Sequence, residues 1–151
     1  MASIDSDIYV VQNTEPAPAG YGSQIGASFA YYEATIAVAG DFDAANDTAK
    51  LFVVPAGYRA VPNLWHINCE ALGASAQDTA TLDIGTTADP DCIADGVDVH
   101  AAASVDATGG VEWLTPATTT KATTFIATIA SLTGSLTAGK KIVIRAVFAK
   151  M

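Results

Sequence analysis

The sequence carries no lysine or arginine before Lys50, only two cysteines and two histidines in 151 residues, and no apolar run near the length of a membrane span. Each shortage excludes something. Two cysteines, Cys69 and Cys92, cannot build a disulfide framework, and their spacing fits no zinc motif. They are expected to be buried free thiols, since free cysteine packs as a small apolar side chain. A Cys69–Cys92 bridge would need neighbouring strands and an oxidising compartment. The start, "MASIDSDIYVVQNTEPAPAG", is acidic where a secretory signal needs a basic segment, and it has no long apolar stretch. A soluble protein made in the cytoplasm, with no membrane partner, is therefore expected. The formal net charge is −9 and the isoelectric point about 4.3, which argues against nucleic acid as the main partner.

The charge is also unevenly distributed. All sixteen acids lie at or before Glu112, and five of the seven bases lie at or after Lys121. Solvated faces explain this simply. Head-to-tail complementarity between subunits is the sharper reading.

What the sequence does have is apolar content: half the residues are hydrophobic and 15% are charged, which fits a compact fold of one domain's length. Residues 1–26 read as an N-terminal arm. Pro16 and Pro18, with Gly20 and Gly22, rule out helix interior and central strand there. Within it "DIYVVQ" has the makings of a short strand. From Glu33 onward, period two dominates. In "EATIAVA", Ala34, Ile36 and Val38 share a face. "LFVV" stops at Pro55. In "PNLWHINCEAL", Trp65, Ile67, Cys69 and Ala71 oppose His66, Asn68 and Glu70. "TATLDIG" follows, then "VEWL" after the Gly109-Gly110 turn, then "TTFIATIA" and "KKIVIRAVFA". The last two are apolar on both faces, so both faces should be covered, one by the opposite sheet and the other by a neighbouring subunit. Val143, Arg145 and Val147 are the residues expected at that subunit interface. "DFDAANDTAK" has enough helical character for one or two turns. Threonine and valine favour pleated surfaces. About eight short strands separated by Gly, Pro, Asp and Asn predict an all-β sandwich over residues 27–151.

Chemistry is hard to find. "TLDIGTTADPDCIADGVDV" packs Asp83, Asp89, Asp91, Asp95 and Asp98 into nineteen positions. An EF-hand loop started at Asp89 fails, because Ile93, Ala94 and His100 fall at its fifth, sixth and twelfth positions. Asp-Pro and Asp-Gly mark turns, so the aspartates read as turn residues, with Ile93, Val97 and Val99 supplying buried contacts. No metal or cofactor is expected. His66 and Cys69, three apart on a strand, point to opposite faces, and no G-x-S-x-G elbow exists. No catalytic residues are expected. Trp65 belongs to the core. Trp113 and Tyr58 are the aromatics left for a sugar-binding surface. Tyr9, Tyr21, Tyr31 and Tyr32 crowd in or beside the arm, where tyrosine suits an interface. Ile8, Tyr9, Val10, Val11 and Tyr21 are the candidate anchoring residues, as a strand able to add to an exposed edge plus one aromatic contact.

Three stretches, "LFVVPAGYRAVPNLWHINCEAL", "ATLDIGTTADPDCIADGVDV" and "TGG…TTFIATIA…LTAGKKIVIRAVF", make the chain, over about residues 33–149, resemble small structural proteins of tailed-phage heads. The shared pattern is a strand, a P-A-G-Y-R turn, a long strand, then L-D-I-G and an Asp-rich turn. The resemblance implies a jelly-roll-like antiparallel β-sandwich with an extended arm, no catalytic residues, and a decoration (cement) role. Such proteins are often homotrimers that clamp neighbouring major capsid proteins on the virion exterior. The alternative it implies is a head-fibre, tail or receptor/glycan-binding virion protein built on the same sandwich.

Overall fold

The structure, a computed structural model, describes residues 3–5, 29–107 and 119–150. In chain order the strands are β1 (Ser3–Asp5), β2 (Phe29–Ala37), β3 (Thr48–Val54), β4 (Tyr58–Ala60), β5 (His66–Cys69), β6 (Thr79–Thr86), β7 (Ala94–Asp98), β8 (Ala103–Asp106), β9 (Thr123–Thr133) and β10 (Lys141–Lys150), with one 3-10 turn at Pro62–Leu64. They form two sheets, β1-β3-β9-β6-β7 and β2-β10-β5-β8, with β4 added to the end of β10.

Leaving aside the short β1 and β4, eight strands remain, and their pairing is nested. The first pairs with the last (β2 with β10), the second with the seventh (β3 with β9), the third with the sixth (β5 with β8) and the fourth with the fifth (β6 with β7), all antiparallel. That is one long hairpin. Rolling it up brings β10 beside β5 and β9 beside β6, again antiparallel, which closes the two sheets. A rolled hairpin of eight strands in two packed sheets is a jelly roll, as expected. β1 is the exception: Ser3, Ile4 and Asp5 pair in parallel with Thr48, Ala49 and Lys50 on the outer edge of β3.

Alternation sets the faces. In β2, Ala30, Tyr32, Ala34 and Ile36 are buried; in β10, Ile142, Ile144, Ala146 and Phe148 are. The centre of the sandwich is aromatic. Tyr32 and Phe148 from one sheet, Trp65 just before β5, and Phe52 and Phe125 from the other sheet meet with ring centroids 5.0–5.9 Å apart. Most of the pairs are edge-on or tilted, as the ring quadrupoles favour. The Trp65 indole N–H donates to the Val147 carbonyl at 3.0 Å, so its one polar atom is satisfied inside the core.

Several local expectations are corrected. "DFDAANDTAK" forms a turn, with an Ala39–Phe42 bridge, and then enters β3 at Thr48, rather than forming helix. Asp47 is buried there and accepts the N–H groups of Asp43 and Ala44. The strand through "PNLWHINCEAL" is confined to His66–Cys69. Pro62 starts a 3-10 turn, and the alternation slips after Cys69, so that Leu72 is buried and Ala71 exposed. Tyr32 is a core residue rather than an interface one. Burial pushes its hydroxyl up to about 12. Both cysteines are free and buried, as expected, and burial raises both thiols, Cys92 to about 11. Of the region expected to be an arm, only Ser3–Asp5 falls within the described residues, and "VEWL" lies outside them.

If the aromatic cluster joins the sheets, Phe148→Ala should cost about 3–5 kcal/mol, the usual loss for a buried phenylalanine. Urea denaturation should show a lower midpoint with an unchanged slope.

Candidate functional site

The outer face of the β2-β10-β5-β8 sheet carries the residues expected at a subunit interface. Val143, Arg145 and Val147 point outward from β10 and are half-buried, flanked on both sides by neighbouring strands. Register places four side chains in one row across all four strands: Glu33 opposite Arg145, Arg145 opposite His66, and His66 opposite Asp106. Residues opposed across antiparallel strands share a face, so the row is continuous.

Its bonds are specific. Arg145 Nε donates to Glu33 Oε2 at 2.7 Å, and the Tyr31 hydroxyl donates to the same oxygen at 3.0 Å. His66 Nδ1 lies 2.8 Å from Asp106 Oδ1, and its Nε2 lies 2.9 Å from Ser104 Oγ. Ser104 in turn donates to Asn68 Oδ1 at 2.9 Å. The hydrogen bond from Arg145 holds the Glu33 carboxyl below its usual range, with a further contribution from Tyr31.

Above the charged row the face turns apolar. Tyr31 stands opposite Val147 and Phe29 opposite Ala149. Phe29 and Tyr31 are each about half exposed, at 52% and 49%. Large apolar side chains that project beside a fixed ion pair suit a protein contact better than a small-molecule pocket.

Asp106, His66 and Ser104 stand in the order of a hydrolase relay, which the sequence spacing did not reveal. The hydroxyl proton of Ser104, however, is directed to Asn68, and Ser104 sits on an open sheet face. The chain of bonds can pin edge strand β8 to β5; it does not present an activated nucleophile. Cys69 faces the core, and its thiol donates to the Ala101 carbonyl at 3.5 Å, away from His66.

The aspartate-rich stretch is turn only in part: Asp89 and Asp91 lie between β6 and β7, whereas Asp83 sits in β6 and Asp95 and Asp98 in β7, where the Asp95-Gly96 pair expected to turn forms a bulge instead. Asp83 accepts the Gly96 N–H at 2.8 Å, and Asp98 accepts the N–H of His100 at 2.9 Å. Thr86 and Asp89 exchange backbone bonds across the tight turn. Gly85 is required there, because a Cβ would fall on the backbone of Asp89 and Pro90. Among the described residues no group of three acidic, histidine or cysteine side chains is placed to hold a metal. Burial raises the Asp83 carboxyl, with Asp95 and Asp91 adding repulsion.

Two hollows mark the other surfaces. One, of about 640 Å³, lies between edge strands β7 and β8. The other, of about 440 Å³, lies on the outer face of the opposite sheet and is lined by threonines with Lys50 and Lys121. Tyr58 is half-buried against the core, which leaves it poorly suited to a sugar platform. Trp113 and the candidate anchoring residues Ile8, Tyr9, Val10, Val11 and Tyr21 lie outside the described residues.

No protein-family model and no curated protein sequence matches the chain. Two solved structures do match in shape. A chain of the capsid of Ralstonia phage GP4 superposes with a TM-score of 0.71 at 20% identity, covering 99% of each chain. A chain of the cyanophage Pam1 capsid asymmetric unit superposes with a TM-score of 0.64 at 16% identity, covering 89% of this chain and 90% of that one. At such identities the likeness establishes the fold: a sandwich that also occurs in phage capsids.

Two of the perturbed carboxylates, Glu33 and Asp83, should respond oppositely to pH. Glu33 is lowered in the folded state, so its pair stabilises above the ordinary glutamate value of 4.5 and is lost as pH falls through the folded value. Asp83 is raised, so its ionisation opposes folding as pH rises above the ordinary aspartate value of 3.8. Thermal melts should therefore show Glu33→Gln losing stability at neutral pH and converging with the parent in acid. Asp83→Asn should gain at neutral pH and also converge in acid.

Proposed function

We propose that the chain is a structural virion protein that binds the outside of a phage capsid as a decoration, or cement, protein and reinforces contacts between major capsid proteins. The observation that carries this reading is the end-to-end likeness, over 99% of both chains, to a chain solved within a phage capsid. The surface supports it. A net charge of −9 suits a position outside the shell, away from packaged DNA, with protein as the partner. The chemistry available on the outer sheet face is that of contact and orientation, an apolar strip beside a fixed ion-pair row, and the role is structural rather than enzymatic.

The working form is a homotrimer, assembled in the host cytoplasm before it joins the particle. Val143, Arg145 and Val147 sit on the face that a neighbouring subunit would cover, with Phe29 and Tyr31 projecting beside them. A trimer gains by avidity, since several modest contacts to neighbouring capsid subunits add up when they are linked. The N-terminal arm, residues 1–26, with Ile8, Tyr9, Val10, Val11 and Tyr21, is the proposed anchor to the capsid. The parallel pairing of Ser3–Asp5 with the chain's own β3 favours, for that first stretch, the other reading, in which the arm folds back to complete its own or a neighbouring subunit's sandwich. The head-fibre, tail or receptor-binding alternative calls for exposed aromatics at one end of the sandwich; half-buried Tyr58 does not supply one, Trp113 lies outside the described residues, and the exposed Phe29 and Tyr31 are assigned here to the subunit interface.

Sedimentation at micromolar concentration should give a trimer, and Val143→Asp should dissociate it, because an unpaired charge in a buried contact is costly. A monomer in the parent protein would remove the subunit-interface assignment.

Imaging of whole particles should find the chain on the capsid surface. A truncation starting at Ser23 should stay folded and trimeric yet fail to bind particles. A truncation that unfolds or dissociates would assign the arm to the trimer, and normal particle binding would deny the arm either role.

A further inference from the structure

Among the described residues the jelly roll is not closed along one side. β7 ends one sheet and β8 ends the other, and the Val99–Ala102 connection crosses between them. Neither has a second strand partner among the described residues. The cleft between them, about 640 Å³, is lined by Asp95, Val97, Asp98, Ala103, Val105 and Asp106, among others.

Val105 shows what kind of surface this is. It pairs with Ile67, a core residue that is 1% exposed, so the two point the same way, into the space between the sheets. Yet Val105 is 37% exposed. Val97 likewise pairs with buried Leu82 on the facing sheet. The floor of the cleft is thus the margin of the hydrophobic core, left open to solvent where the sheets part.

The rim has one sign of charge. Asp95 and Asp98 border it on the β7 side and Asp106 on the β8 side, and no lysine or arginine lines it. The chain's own segments outside the described residues do not suit such a rim. Residues 6–28 carry Asp7 and Glu15, residues 108–118 carry Glu112, and neither stretch has a base. The two edges differ in their readiness to pair. β7 holds Gly96 at φ 63 beside a register shift against β6, the kind of bulge that blunts an edge. β8 is regular through all four of its pairs with β5, and His66 and Asn68 tie it down through Asp106 and Ser104. Its outer edge is a fixed row of backbone donors and acceptors.

We infer that the free edge of β8 accepts an extended strand from a different protein, in which apolar residues alternate with lysine or arginine. Pairing with β8 places alternate side chains of the added strand on its two faces. One set covers Val105 and completes the core margin. The other stands beside Asp106, while basic residues at the ends of the strand reach Asp95 and Asp98. This deepens the proposed function and rests on it: the strand would come from an extended basic segment of a capsid subunit. Its inner contacts lie at the β7/β8 margin, and it meets the β2-β10-β5-β8 outer face proposed for the trimer only at Asp106, where the charged row ends.

The test uses the intact protein, isotope-labelled, and a capped six-residue peptide of alternating valine and lysine, followed by amide chemical shifts. Shift changes should map to β7, Val99–Ala102 and β8. Affinity should fall with added salt, since exposed charges are screened. Asp95→Asn with Asp98→Asn should weaken binding roughly threefold to tenfold, the effect of losing two exposed charge pairs. Val105→Lys, at a position already open to water and so tolerant of the change, should abolish binding. No shift change at millimolar peptide would overturn the inference. So would equal binding of a valine–glutamate peptide, changes confined to another surface, or contacts showing the cleft already filled by residues 108–118 or by a second copy. Particle imaging is independent of this outcome: peptide binding by a protein absent from capsids would keep the cleft and discard the virion reading.

Discussion

The contact on which the rest depends is the five-ring cluster of Tyr32, Phe52, Trp65, Phe125 and Phe148. Two sheets cannot hold each other by hydrogen bonds, since each satisfies its backbone within itself. They are held by apolar side chains from facing strands, and here the largest of these meet at one point. Every ring comes from a different segment, so the cluster forms only when β2, β3, β9, β10 and the entry to β5 are all in place. The Trp65 indole N–H is spent on the Val147 carbonyl, which fixes the entry to β5 against the end of β10.

That fixed centre makes the outer face regular. With β10 held in the middle of its sheet, the positions of Glu33, Arg145, His66 and Asp106 follow from pleat and register, and the charges fall into one line. Exposed ion pairs of this kind add little to stability. On the proposed subunit-interface reading their use is orientation: a partner meeting this face would find charges in set positions beside the projecting Phe29 and Tyr31, which favours one docking geometry over others.

The two margins of the sandwich are treated differently. On the β3 side, Ser3–Asp5 covers the sheet edge. On the β7/β8 side the described residues leave the core margin open, with Val105 at the surface and aspartates on both rims. Acidic side chains keep such an edge from pairing with another copy of the same acidic protein. They leave it open to a basic strand.

Much of this architecture was already written in local pattern. Period two in "EATIAVA", "TATLDIG" and "KKIVIRAVFA" determined which residues are buried, and the Asp89-Pro90 pair marked the turn between β6 and β7, because pleat and turn chemistry are properties of a few adjacent residues; the Asp95-Gly96 pair, which reads as a turn, became a bulge within β7. Cys69 and His66 were assigned to opposite faces for the same reason. The slip after Cys69, which buried Leu72 in place of Ala71, escaped that logic, since a change of phase is invisible until the strand ends. Partnership escaped it too. Glu33 and Arg145 are 112 residues apart, and His66 and Asp106 are 40. Nothing near any of them announces the other. Only the rolling of the long hairpin decides which strands become neighbours, and with that which charges pair and which edge is left open.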